Sequence, residues 1–226
     1  MKLIYQGKTK DIYQVDDLLC LKFKDDVTGT DGKFDPGANS VGLSIEGIGA
    51  LNLIMSSYFF EKLNDLNLHT HFVSANVDDH TMTVKPMKVF GKGLEVITRY
   101  KATGSFMRRY GAYATEGQDL NGYVEVTLKD DERQDPLITS AGLATLNIMS
   151  LEQYQTLEQL NLKIAELIRQ DLLTKGLTLY DVKLEFGYHP DEPSQIVLID
   201  EISGGNMRVY KENQLLSPTE LAAFYH

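Results

Sequence analysis

The chain has 226 residues, of which 42% are hydrophobic and 24% charged, an ordinary globular composition with enough length to bury a real core. Its formal net charge of −10, from 22 basic and 32 acidic residues, excludes a general nucleic-acid binder, because phosphate backbones reward a positive field. A single cysteine, Cys20, excludes an internal disulfide and any zinc site built from several cysteines.

Lys8, Lys10 and Asp11 break any apolar leader at the N-terminus, and no stretch approaches the ~20 apolar residues of a membrane span. The expectation is a soluble, cytoplasmic protein that binds neither nucleic acid nor membrane. The acid is unevenly spread: residues 1–110 carry 14 basic and 13 acidic side chains, residues 111–226 carry 8 and 19. Two lobes with different electrostatic tasks would explain this, as would a solvated acidic surface.

In chain order, the first hundred residues read mainly as strands. Leu3–Tyr5 leads into Gly7-Lys8-Thr9-Lys10, then Ile12-Tyr13 and a turn at Asp16-Asp17. Leu19, Leu21 and Phe23 alternate with Cys20, Lys22 and Lys24, the period of a half-buried strand, with Cys20 a small buried side chain. Residues 25–42 are rich in Gly, Pro, Asp and Asn and read as a loop. Leu51, Met55, Tyr58, Leu63 and Leu66 fit one helix face; 71–73, 81–84 and 94–100 read as strands. In the second half Ser150 and Gln153 form a capping-box pattern ahead of the stripe Leu157, Leu160, Ile164, Leu167 or Ile168, and Leu172, with Gly176 as the stop. Residues 177–187 and 195–201 then read as an antiparallel strand pair joined through Pro190 and Pro193. The expected architecture is α+β with antiparallel sheets, split near 85–93 into a small lobe, 1–88, and a larger lobe, 89–226.

The chemistry concentrates in Asp181-Val182-Lys183-Leu184-Glu185-Phe186-Gly187. Alternation puts Val182, Leu184 and Phe186 on a core face and Asp181, Lys183 and Glu185 on the other. The apolar run 195–199 ends in Asp200-Glu201, so carboxylates from two neighbouring strands can meet one cation. Magnesium is held by one or two carboxylates plus substrate phosphates, and a lysine such as Lys183 meets phosphate as a point charge. No Walker pattern occurs in the sequence. Gly7-Lys8-Thr9-Lys10 supplies two lysines on a tight hairpin, and Arg99 to Ser105 with Arg108-Arg109 forms a basic cluster suited to a small anionic ligand. Arg208 follows a glycine turn and returns toward the same cleft. The histidines at 69, 71, 80, 189 and 226 lack metal-ligand spacing, and His69 and His71 read as structural.

Taken together, YQGKTKDIY at 5–13, KDDVTGTDG at 24–32, SSYFFEKL at 56–63, THF at 70–72, ATGSFMRRYG at 102–111, LKDDERQDPLI at 128–138, DVKLEFG at 181–187 and IDEIS at 199–203 resemble the SAICAR synthetases of purine biosynthesis. The resemblance implies a two-lobed, ATP-grasp-related fold. It also implies ATP-dependent amide formation from CAIR, a carboxylated aminoimidazole ribonucleotide, and L-aspartate by way of an acyl phosphate. Carried over by position, Glu185 and Asp200 would hold Mg²⁺. Lys8, Lys10, Lys183 and Glu185 would serve the ATP end, with the adenine near Lys85. Arg99, Ser105 and Arg208 would grip the ribose phosphate, with Asp181 on the same substrate side. Lys183 and Asp31 would act in catalysis, Asp31 by contacting substrate. A homodimer is the usual expectation for the family.

The chain departs from the family's pattern at Ile48 and Leu53, where a lysine and an asparagine are usual, at Tyr100 in place of asparagine, and at Gly205 in place of an acid. It also ends without the family's usual C-terminal helix. Two other readings therefore stand beside the first: a diverged paralog that ligates another carboxylate or amine, and a nucleotide-binding protein without catalysis.

Overall fold

The computed structural model describes residues 1–38 and 40–225. In chain order the first elements are β1 (Lys2–Gln6), β2 (Lys10–Val15), β3 (Leu18–Phe23), β4 (Asp26–Thr30), β5 (Lys33–Phe34), β6 (Val41–Ser44), α1 (Ile48–Asp65), β7 (Phe72–Asn76) and β8 (Thr81–Val84). They continue with β9 (Lys88–Val89), β10 (Leu94–Lys101), α2 (Ser105–Tyr110), β11 (Asp119–Leu128), α3 (Ser140–Thr145) and α4 (Leu151–Thr174). The last are β12 (Thr178–His189), β13 (Glu192–Ile199), β14 (Met207–Lys211), β15 (Gln214–Leu215) and α5 (Pro218–Ala222).

The chain divides into two compact units, but the division is not a single cut. The first unit holds Met1–Met87, Glu201–Asn206 and the segment that begins at Leu216; the second holds Lys88–Asp200 and Met207–Leu215. The expected lobe 89–226 thus loses two segments to the first unit. Sequence order hides this, because the chain passes between the units three more times from Asp200 to Leu216. No described helix is long and apolar enough to cross a membrane.

The first unit contains a five-stranded antiparallel sheet in the order β1-β2-β3-β8-β7. Cys20 is buried on β3 as expected, although it shares its face of the strand with the exposed Lys22. The stretch expected to be a loop instead holds a three-stranded sheet, β5-β4-β6. Asp31 and Gly32 both adopt positive φ between Thr30 and Lys33, the two-residue turn that Asp-Gly favours. Gly29 and Gly42 lie in strands because the backbones touch: a Cβ on Gly42 would sit 2.5 Å from the Gly29 Cα. The loop-like composition reflects that approach. Asn39, within the same stretch, and His226 lie outside the described residues.

Helix α1 buries Met55 and Leu63 as expected, but not Leu51, Tyr58 or Leu66. Ile48, Asn52, Met55, Ser56, Phe59, Phe60 and Leu63 point inward, whereas Leu66 is half exposed. Asn52 and Ser56 are on that face, and the Ser56 hydroxyl accepts a hydrogen bond from the Ile202 amide at 3.3 Å. A small polar stripe of this kind is invisible to apolar periodicity. The helix starts at Gly47 without a capping side chain of its own. Asp25 caps it from the β3–β4 link, accepting from the Gly47 and Gly49 amides at 3.0 and 2.9 Å.

The second unit is a seven-stranded antiparallel sheet with the path β11-β10-β12-β14-β15, onto which β13 and β9 pair through β12. The twelve-residue β12 is its spine. Residues 181–185 pair with β10, residues 178–182 with β14, and residues 185–189 with β13. The antiparallel β12–β13 pair is as the sequence implies, though β13 spans Glu192–Ile199 and takes in Pro193. One face is apolar, with Val96, Val182, Leu184, Phe186 and Leu198 buried, and α4 covers it. Ser150 and Gln153 close the expected capping box, and Gly176 at φ 71° ends α4, with the Leu177 amide reaching the Leu172 carbonyl at 3.0 Å. The opposite sheet face carries the charges.

Candidate active site

Register fixes which charges meet. Glu95, Ile97 and Arg99 on β10 lie opposite Glu185, Lys183 and Asp181 on β12, and opposite Thr127, Glu125 and Tyr123 on β11. Asp181 also lies opposite Arg208 on β14. Four strands therefore hold one charged face.

At one end of that face is a network of three guanidinium groups and two carboxylates. Arg99 is 1% exposed. Its Nε donates to Glu125 Oε2 at 2.6 Å, its Nη1 to Asp181 Oδ2 at 2.9 Å and its Nη2 to Ser105 Oγ at 2.8 Å. Arg208 Nη1 donates to the same Asp181 oxygen at 2.7 Å, and Arg109 Nη2 to the same Glu125 oxygen at 2.6 Å. The order across the sheet is Arg109, Glu125, Arg99, Asp181, Arg208, with one positive charge in excess. Gly104 opens the way for Arg208, since a Cβ there would stand 2.6 Å from Nη2. Such an arrangement can receive a small anion while keeping its guanidiniums rigid.

Toward the other end, Lys183 Nζ donates to Glu95 Oε1 and Lys129 Nζ to Glu185 Oε1, both at 2.7 Å. Thr127 Oγ1 donates to Glu95 Oε2 at 3.2 Å. Burial pulls both ammonium groups toward neutrality. The carboxylates outweigh it, mainly Glu95 for Lys183, and Glu185 then Asp200 for Lys129, so both lysines titrate above the ordinary range. Burial, then the charge of Asp200, pushes the Glu185 carboxyl up. Asp200 follows β13 in the left-handed region, at φ 65°, which turns the chain out of the strand at the carboxylate. Among the described residues no group of three or more His, Cys, Asp or Glu could hold a metal by itself. Glu185 and Asp200 are two carboxylates close enough to repel each other.

The first unit holds the remaining expected residues. Lys8 sits half-buried in the turn between β1 and β2, where the Gly7 amide donates to the Lys10 carbonyl at 2.9 Å. Lys10 is buried, with its ammonium on Glu201 and 5.3 Å from the Phe23 ring centroid. Asp31 is exposed in the β4–β5 turn, and Lys85 is exposed just after β8. His71 is buried against Phe60, as a structural histidine would be, and His69 is exposed. Glu95, Glu125 and Lys129 were not singled out by sequence reasoning, and Glu201, grouped there with Asp200, pairs with Lys10 instead. Glu95 alternates with Ile97 and Arg99, a pattern that could have signalled a third charged strand.

The departures from the family pattern also find their places. Ile48 and Leu53 are fully buried in the α1 core. Tyr100 donates to Glu166 at 3.3 Å under the Arg169 guanidinium and lines a cavity of about 340 Å³ beside α4. The Arg169 guanidinium, against the opposing effect of burial and with help from Gln170, lowers the Glu166 carboxyl to about 2. Gly205 donates its amide to Ser203 Oγ at 3.0 Å.

The SAICAR synthetase family model matches residues 3–220. The chain belongs to the SAICAR synthetase family. A phosphoribosylaminoimidazole-succinocarboxamide synthase of Clostridium tetani is 56% identical over 222 residues, covering 98% of this chain and 97% of that protein. One of Aquifex aeolicus is 34% identical over 216 residues, 94% of each chain. Among solved structures, a SAICAR synthetase in complex with ADP matches with a TM-score of 0.82 at 33% identity, over 94% of this chain and 87% of that one. The phosphoribosylaminoimidazole-succinocarboxamide synthase of Ehrlichia chaffeensis matches at 0.85 and 28% identity, over 99% and 92%. The α+β fold is thus that of SAICAR synthetases.

Proposed function

We propose that this protein is an ATP-dependent carboxylate–amine ligase that converts CAIR, L-aspartate and ATP to SAICAR, ADP and phosphate in de novo purine biosynthesis. The observation that carries this reading is the 56% identity, across nearly both full lengths, to a phosphoribosylaminoimidazole-succinocarboxamide synthase. Of the four substituted positions, three no longer weigh against it, because Ile48 and Leu53 pack a core and Tyr100 faces the α4 cavity.

In this reading the CAIR carboxylate attacks the γ-phosphorus of ATP and ADP leaves. The amine of aspartate then attacks the acyl carbon, and phosphate leaves. The chain's task is to orient a carboxylate and a triphosphate, and to neutralise charge that develops between them. Arg208, Arg99 and Ser105 would hold the ribose phosphate. Asp181 accepts from two guanidiniums at once, so its part on the substrate side is to fix Arg99 and Arg208 for that anion. Lys183, kept charged by Glu95, would face the transferring phosphoryl group. Lys8 would meet the triphosphate from the hairpin, Lys85 would stand near the adenine, and Asp31 would contact substrate.

Magnesium fits the donor set. Glu185 and Asp200 repel each other in a half-buried setting, and two carboxylates are what Mg²⁺ takes when phosphate oxygens complete its shell. When bound it would neutralise the triphosphate and orient the phosphoryl group. A cytoplasmic location belongs to the same reading and suits the free, buried thiol of Cys20. So does a homodimer, which sedimentation equilibrium would measure.

The test is ADP release by the purified protein with CAIR, L-aspartate and Mg-ATP. Turnover that requires all three supports the proposal. Turnover indifferent to aspartate, or ATP binding without turnover on these substrates, would sink it in favour of a paralog or a non-catalytic binder.

A further inference from the structure

Lys129 has no part in the mechanism above, yet its side chain is aimed at the carboxylate pair by specific construction. Gly93, at φ 115°, lies under the Lys129 stem, and a Cβ there would be 2.9 Å from the lysine Cδ. The Lys129 amide donates to the Gly93 carbonyl at 3.1 Å, so β11 delivers the lysine across β10 at a place kept clear of side chain. The ammonium then meets Glu185 Oε1 at 2.7 Å. Glu185 is 16% exposed but Lys129 is 44% exposed, so the acid is fixed and the cation can leave along a solvated path.

We propose that Lys129 is an exchangeable counter-ion of the Glu185–Asp200 pair, which a divalent cation displaces when it binds. This rests on the reading of those two carboxylates as a metal site. Two half-buried carboxylates without a cation would cost folding free energy. A half-exposed lysine lowers that cost, at the expense of competing with the metal. The competition has a use: the pair stays neutralised between turnovers, and the displaced ammonium becomes free to meet an anion arriving with the metal.

The experiment is titration calorimetry of nucleotide-free protein with MgCl₂, comparing wild type, Lys129→Met, Lys129→Arg and Glu185→Gln, each checked for folding by circular dichroism. Lys129→Met removes the competitor and should bind Mg²⁺ about two- to fivefold more tightly, the weight of a partly exposed ion pair. Its melting temperature should be below wild type without metal and rise more on adding MgCl₂. Lys129→Arg keeps the competing charge and should bind no more tightly than wild type. Unchanged or weaker binding in Lys129→Met, with loss of binding in Glu185→Gln, would overturn the exchange and leave the metal site standing. Wild-type binding in Glu185→Gln would overturn the metal site, and the exchange with it.

Discussion

Gly104 lies so close to the Arg208 guanidinium that a Cβ would stand 2.6 Å from Nη2 and 2.7 Å from Cζ. The glycine also adopts φ 56° and ψ −128°, which side chains resist. Arg208 is held on Asp181, so it cannot simply swing aside. Gly104→Ala should therefore raise the KM for the phosphorylated substrate with a smaller loss in kcat. Arg208→Ala should raise that KM by about ten- to hundredfold, the range of a charge-assisted hydrogen bond. An unchanged KM in Arg208→Ala would count against the anion site.

The carboxylate pair gives a second expectation. Glu185→Ala and Asp200→Asn should each lower Mg-ATP turnover by about two to three orders of magnitude, as loss of a charge-stabilising group does. Asparagine is the cleaner change at 200, because it tolerates the left-handed backbone that Asp200 adopts. Both proteins should fold normally by circular dichroism. Full activity in both would remove the metal assignment.

What could be read from the sequence was whatever local chemistry decides. The Ser150–Gln153 box and Gly176 set both ends of α4, and the alternation over 181–187 placed three charges on one face of β12. Non-local contact decided the rest. Glu95 and Glu125 became partners of Lys183 and Arg99 only through the registers of β10 with β12 and β11. Gly29 and Gly42 looked like loop residues because their use, backbone against backbone, depends on a pairing thirteen residues away. The buried face of α1 was only partly read because Asn52 and Ser56 are polar, and what covers Ser56 is the chain near Ile202.

Asp25 makes stability pH-dependent in a defined direction. The Gly47 and Gly49 amides hold its carboxyl below the ordinary range, and burial opposes them only in part. A lowered carboxyl pKa contributes stability above the unfolded value, about 3.9. That contribution is lost as pH falls through the folded value. Asp25→Ala should cost about 1 kcal/mol at pH 7, typical of a lost helix cap. In urea unfolding, the gap between wild type and variant should hold from pH 6 to 8 and shrink below pH 4. A gap independent of pH would show that the charge of Asp25 is not what caps α1.

Lys10 carries the last expectation, because it separates a structural lysine from a phosphate ligand. Its ammonium is buried on Glu201, which also accepts from the Ser203 hydroxyl, while Asn206 Nδ2 donates to the Glu201 carbonyl at 2.7 Å. The pair thus fastens the returning segment 201–206 to β2 inside the first unit. Removing one partner strands a buried charge, so Lys10→Met should destabilise by about 3–5 kcal/mol. Replacing both partners by apolar groups should recover much of that loss, since the stranded carboxylate goes with the lysine. Thermal and urea melts of Lys10→Met, Glu201→Leu and the double variant measure the coupling. If Lys10→Met instead melts like wild type and only the KM for ATP rises, Lys10 acts on the nucleotide and the ion pair contributes little to the fold.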